Sequence, residues 1–197
     1  MDQTPTSSNM LVVPAVRTPK AGRFDQVSMA FHWATVLLIV AQFTTAWWMA
    51  QGDQNAPTLL IVHRSMGTLT LLVVLGRLVW RKACAHLPAF PKSMPVFQQR
   101  IAQTNEFGLY VLLLLQPLTG LGDTLFRGHP FVLFGAEVPA LLATNKPVFH
   151  LLHTVHEYSA WALLTLIGLH AGAAIFHGLI LRDGVLERML PWTAKDK

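Results

Sequence analysis

Cysteine is almost missing from this chain of 197 residues, where Cys84 stands alone. One thiol excludes an internal disulfide, a cysteine-ligated iron–sulfur cluster and covalent haem attachment through Cys-x-x-Cys-His. Charge is scarce as well. Asp, Glu, Lys and Arg make up 13% of the residues and hydrophobic residues 52%, which is about half the charged share of a soluble globular domain. No period of 20–50 residues recurs and no low-complexity tract exceeds the polar N-terminal arm, so solenoid and array architectures are excluded.

What the chain does have is four long apolar runs, at roughly 28–50, 58–80, 106–126 and 150–181. Each reaches or exceeds the ~20 residues a helix needs to cross ~30 Å of hydrocarbon. The expected fold is therefore an all-α membrane protein, four transmembrane helices in an antiparallel bundle. Residues 1–24 read as a flexible polar arm, 25–192 as one membrane domain and 193–197 as a short tail. The arm has no apolar stretch beyond Met10–Val16, so a cleaved signal peptide is not expected. Pro88, Pro91 and Pro95 mark a linker between the second and third spans that cannot be helical throughout.

Basic residues set the expected orientation, because short cytoplasmic segments are enriched in Lys and Arg. An even number of spans puts both termini on one side, together with Arg17, Lys20, Arg23, Arg77, Arg81, Lys82, Lys92, Arg100, Arg182, Arg188, Lys195 and Lys197. Only Arg64, Arg127 and Lys146 fall on the other. Both termini and the middle loop are thus expected in the cytoplasm. The net charge of +5 arises from topology, and nucleic acid is not an expected partner.

Histidines inside a span are costly and point to function. His156 and His170 lie 14 residues apart in the fourth span. Fourteen helical steps return a side chain to within about 40° of its first direction, about 21 Å along the axis. One helix face can then present two metal ligands at two depths. Antiparallel neighbours supply partners: His32 enters the first span from the inner side, and His63 starts the second from the outer side. Depth pairs His63 with His156 and His32 with His170. Four imidazoles at two depths suit two bis-histidine haems, whose filled axial positions favour electron transfer over oxygen binding. His153 and His177 keep roughly the same face as their neighbours, and geometry leaves both open as ligands.

Arg77 comes 14 residues after His63 and so returns to that face at the inner depth, where a haem propionate would be its partner. The alternative is an arginine that snorkels to the surface. Gly67, one turn after His63, would let a flat macrocycle approach the backbone or would serve helix packing in lipid. The six tryptophans mostly flank span ends, where aromatic belts form. His86, His129 and His150 lie in loops or at span ends, where solvated or interfacial roles are expected.

At these residues the chain resembles the bacterial cytochrome b561 family. Phe31-His32-Trp33 is similar to the family's start of span one, and His63 with Gly67 and Arg77 to span two. Pro117-Leu118-Thr119-Gly120 resembles the end of span three, and Arg127-Gly128-His129-Pro130 and Phe134-Gly135 resemble the loop after it. His156-Glu157, Ile167-Gly168-Leu169-His170-Ala171, Asp183-Gly184 and Met189-Leu190-Pro191 resemble span four and its exit. The likeness covers about 25–192. It implies haem ligands at His32, His63, His156 and His170, preferring His156 over His153 and His170 over His177. Where some relatives carry histidines at the start of span three, this chain reads Ala102-Gln103-Thr104-Asn105-Glu106.

The resemblance implies two haems b, ubiquinone as electron acceptor, and as donor either superoxide or a dehydrogenase. Expected partners are membrane lipid, quinone, a small reductant or a dehydrogenase subunit, and a second copy of the chain. Two other functions compete: a cytochrome b subunit that docks a dehydrogenase, and a haem-free transporter or scaffold whose histidines relay protons. The last would be colourless.

Overall fold

Asp25 starts the first helix, its carboxylate accepting from Ser28 N at 2.9 Å and from the Ser28 hydroxyl at 2.7 Å. An acidic cap satisfies a backbone donor that the first helical turn leaves unpaired. The computed structural model describes residues 22–91 and 94–190. Helix α1 runs over Gln26–Ala50, α2 over Ala56–Ala83, α3 over Val96–Phe126 and α4 over Lys146–Phe176. Proline sits in the first turn of α2 and of α4, where the missing N–H costs nothing. Asn145 caps α4 by accepting from Val148 N at 3.3 Å. Most of the N-terminal arm, Lys92 and Ser93 of the linker, and the tail lie outside the described residues.

All four helices are long and apolar enough to cross a membrane. Helix α3 begins at Val96, ten residues before the apolar run, because hydropathy marks the lipid-facing part of a helix and not its ends. The fourth run divides into α4 and a π turn at His177–Leu181, after which comes a 3-10 turn at Leu186–Met189. The π turn exits through Arg182, whose φ is 50°.

Few side chains are buried. Val74, Leu113 and Leu163 form the apolar centre, while Leu37, Trp47, Val79 and Phe107 stay exposed, as lipid-facing positions do. The other buried helix positions are mainly hydroxyls: Thr35, Thr45, Ser65, Thr70, Thr119, Thr124 and Ser159. Each bonds the carbonyl one turn back, as Thr70 does to Met66 O at 2.8 Å. Small hydroxyls so satisfied let helices approach closely where water is absent. Helix α1 packs on α2, α3 on α4, and α2 on α3, making two hairpins side by side.

A two-stranded ribbon, which hydropathy did not announce, joins the second pair. Strand β1 (Phe131–Leu133) runs antiparallel to β2 (Ala136–Val138) with Phe131 opposite Val138. Its turn residues Phe134 and Gly135 have φ of 50° and 81°, the doubly left-handed pattern of a tight hairpin. Phe134 N donates to Ser65 Oγ at 2.8 Å, which ties the ribbon to α2. At the other end of the bundle, Phe24 N reaches Arg188 O and Trp33 Nε1 donates to Met189 O at 2.9 Å. Both ends of the described chain therefore lie on one side.

Candidate functional site

Two pairs of histidines face each other across the bundle. His63 on α2 and His156 on α4 have ring centres 6.2 Å apart, with planes at 81°. His32 on α1 and His170 on α4 have ring centres 6.3 Å apart, with planes at 55°. The first pair lies toward the ribbon and the second toward the ends of the described chain. These are the pairings that depth alone suggests, and they join helices that pack on each other much less than the hairpin partners do.

The separations have a direct chemical meaning. With a metal–imidazole bond of about 2 Å on each side and roughly 1 Å from ring nitrogen to ring centre, two imidazoles on one metal have centres about 6 Å apart. Among the described residues no three His, Cys, Asp or Glu side chains come together as a protein-only metal site needs. The imidazoles come in twos, the number of positions left when a macrocycle fills the others of an iron.

Each ring of the ribbon-side pair is held from behind. His63 Nδ1 lies 3.0 Å from the Thr45 hydroxyl, and His156 Nδ1 lies 3.1 Å from the Thr119 hydroxyl and 3.0 Å from Gln116 O. Gln42 Nε2 donates to His63 O and Gln116 Nε2 to His156 O, both at 3.0 Å. A Cβ on Gly120 would meet the His156 ring at 3.1 Å, so glycine there gives the imidazole its space.

His153 and His177 point elsewhere. His153 Nδ1 lies 3.6 Å from Asp123 Oδ2, a carboxylate that also pairs with Arg127 at 3.1 Å. His177 Nδ1 lies 2.6 Å from Asp183 Oδ2. Neither forms a facing imidazole pair. Arg77 sits with its guanidinium 5.3 Å from the centre of the Tyr110 ring. Gly67 lies against α1, where an added Cβ would meet Gln42 Nε2 at 3.1 Å.

Some residues the sequence marked only by their charge, and others it did not mark at all. Arg64 Nε is buried and has no hydrogen-bond partner among the described residues, and in lipid such a donor suits an anionic group. Arg81 pairs with Glu106 at 2.9 Å and shares the Tyr110 face with Arg77. Thr45, Thr119, Gln42 and Gln116 were legible only as the same Gln-x-x-Thr spacing in two spans. Nothing in hydropathy singles them out.

The chain is similar to known proteins over most of its length. A family model described as prokaryotic cytochrome b561 matches residues 23–192. Cytochrome b561 homolog 1 of Escherichia coli (strain K12) is 26% identical over 172 residues, 86% of this chain and 97% of its own length. Cytochrome b561 homolog 2 of the same organism is 28% identical over 181 residues, 88% of this chain and 94% of its own. A Yersinia pestis protein named probable superoxide oxidase CybB is 25% identical over 170 residues, 86% of this chain and 96% of its own.

Proposed function

Because the chain belongs to the prokaryotic cytochrome b561 family, it is a multi-pass membrane cytochrome, and we propose that it carries electrons across the bilayer through two haems b. His63 and His156 hold one, His32 and His170 the other. The facing imidazoles at 6.2 and 6.3 Å carry this reading. A haem held between such pairs would supply a one-electron couple. The protein's part is to fix the imidazoles, exclude water and place counter-charges.

Arg77 and Arg64 are the cations for the carboxylate groups of the two cofactors, and Gly67 and Gly120 are the positions where a Cβ would crowd Gln42 and the His156 ring respectively. The end of the bundle that gathers both ends of the described chain is cytoplasmic, from the distribution of Lys and Arg. The His32–His170 pair is then inner and the His63–His156 pair outer. Ubiquinone in the membrane accepts the electrons. Superoxide is the donor best supported, because the Yersinia pestis relative bears that name and a small anion needs only an exposed haem edge. Arg64, Arg127 and Lys146 on the outer side attract it, while Asp53, Asp123 and Glu137 weaken their field.

The test is the visible spectrum of the purified protein with a pyridine haemochrome assay. Two non-covalent haems b per chain are expected. One haem per chain would remove a ligand pair from the reading, and a colourless protein that takes up no haem would overturn it. Ubiquinone reduction driven by enzymatically generated superoxide tests the donor, and an unchanged rate on adding the purified cytochrome would exclude it.

A further inference from the structure

The two hairpins carry one device at the same level. On α1, Gln42 and Thr45 stand behind His63 of α2; on α3, Gln116 and Thr119 stand behind His156 of α4. The glutamine amide bonds the histidine carbonyl at 3.0 Å in both. The threonine hydroxyl stands 3.0 or 3.1 Å from Nδ1. The hydroxyls are themselves anchored alike: Thr45 to Ala41 O and Gln42 O at 2.9 and 3.0 Å, Thr119 to Leu115 O and Gln116 O at 2.7 and 3.0 Å.

This anchoring decides who donates. A carbonyl only accepts, so each threonine's hydrogen is committed to its own helix and its lone pairs remain for the imidazole. Nδ1 must then carry the proton and donate. His156 has a second acceptor, Gln116 O, which requires the same. Both rings thus present a free Nε2 lone pair, the form that ligates a metal. Among the described residues the ring nitrogens of His32 and His170 have no such acceptor.

We infer that the paired Gln-x-x-Thr segments, Gln42/Thr45 and Gln116/Thr119, are positioning residues that fix the depth, tautomer and basicity of the outer haem's two histidines and so lower that haem's potential. The inference rests on the proposal of two bis-histidine haems. An acceptor at Nδ1 makes Nε2 a stronger donor to iron, which favours the ferric state. The glutamine amide bridges each hairpin at the histidine's own peptide and sets its height. One device serves both ligands of one iron because α1–α2 and α3–α4 are built alike at this level, although the helices carrying the histidines come from different hairpins.

Potentiometric titration of the holoprotein tests it, with the inner haem as internal control. Thr45→Val and Thr119→Val keep the shape and remove the acceptor. Each is expected to raise the outer potential, shifting its reduced-to-oxidised ratio about threefold to tenfold, where tenfold is about 59 mV for one electron. The low-spin ferric electron paramagnetic resonance signal of that haem should shift with it, and the inner component should not move. Thr45→Ser and Thr119→Ser should restore the wild-type values, since a serine hydroxyl offers the same acceptor. If the Val variants lose the outer haem while the Ser variants keep it at wild-type potential, the hydroxyl is still the positioning group. Loss in both, or Val variants with both haems and an unmoved outer potential, would overturn the inference. A wild-type protein without two b components would instead defeat the haem proposal itself.

Discussion

Arg77 holds its guanidinium over the Tyr110 ring at 5.3 Å from the ring centre, in the layer of the His32–His170 pair. A cation on an aromatic face is kept from straying into lipid, and its charge remains on the side of the His32–His170 pair. Arg77→Leu should therefore make the inner haem harder to reduce, on the order of a tenfold shift in its redox equilibrium, about 59 mV. Lys at this position should restore only part, because it keeps the charge and loses the planar fork. Tyr110→Phe keeps the ring face and should change little. A redox titration resolving both haems checks this, and an unmoved inner potential in Arg77→Leu would mean that the side chain only snorkels.

The facing pairs predict which haem each histidine serves. His63→Ala or His156→Ala should abolish the outer spectral component and spare the inner, and His32→Ala or His170→Ala should do the reverse. His153→Ala and His177→Ala should keep both haems, since these rings face Asp123 and Asp183. Haem content per chain in the variants decides it; a haem lost with His153 or His177 would reassign the ligand.

Gly120 predicts a steric effect separate from ligation. Its added Cβ would stand 3.1 Å from the His156 ring, a ring fixed from behind by Thr119 and Gln116. Gly120→Leu should lower outer-haem occupancy, and Gly120→Ala should broaden or shift that component. Full occupancy with an unchanged spectrum in Gly120→Leu would show that the ring has room to move.

Acid stability depends on two carboxylates outside the spans. Burial would raise the Asp25 carboxyl, but hydrogen bonds from Ser28 and Trp80 outweigh it and hold the group below its ordinary 3.8. Burial opposes a low value at Asp183 too, and the bond with His177 overcomes it. A folded value below the unfolded one gives stability that is complete above the unfolded value and disappears as pH falls through the folded one. The melting temperature in detergent should thus hold down to about pH 5 and fall below about pH 4. Asp25→Asn and Asp183→Asn should lower the neutral-pH plateau and flatten the acid limb. An acid limb of unchanged slope in both variants would mean that other groups govern it.

Four spans and the four histidines of the facing pairs were legible because they rest on local rules. Hydrophobic length must match the bilayer, and the angular period of a helix fixes what His156 and His170 can share. The antiparallel course of the chain, itself a consequence of crossing repeatedly, then gave the depth of His32 and His63. The ribbon at Phe131–Val138 was not legible, since three-residue strands carry no period and its anchor, Ser65, belongs to another helix.

The sequence by itself determined that this chain has four spans for a membrane, that a haem here is held without a Cys-x-x-Cys-His attachment, and which histidines can meet. Only the tertiary structure decided which of them do meet and what stands behind each. His153 and His156 share a face and a spacing rule, and what separates them is contact: one ring turns to Asp123 and the other to His63. Gln42 and Thr45 reach His63 across 21 and 18 residues, and Gln116 and Thr119 reach His156 across 40 and 37. Helical periodicity says nothing about such distances, because the partner of a polar side chain in lipid is set by whichever neighbouring helix the packing brings alongside.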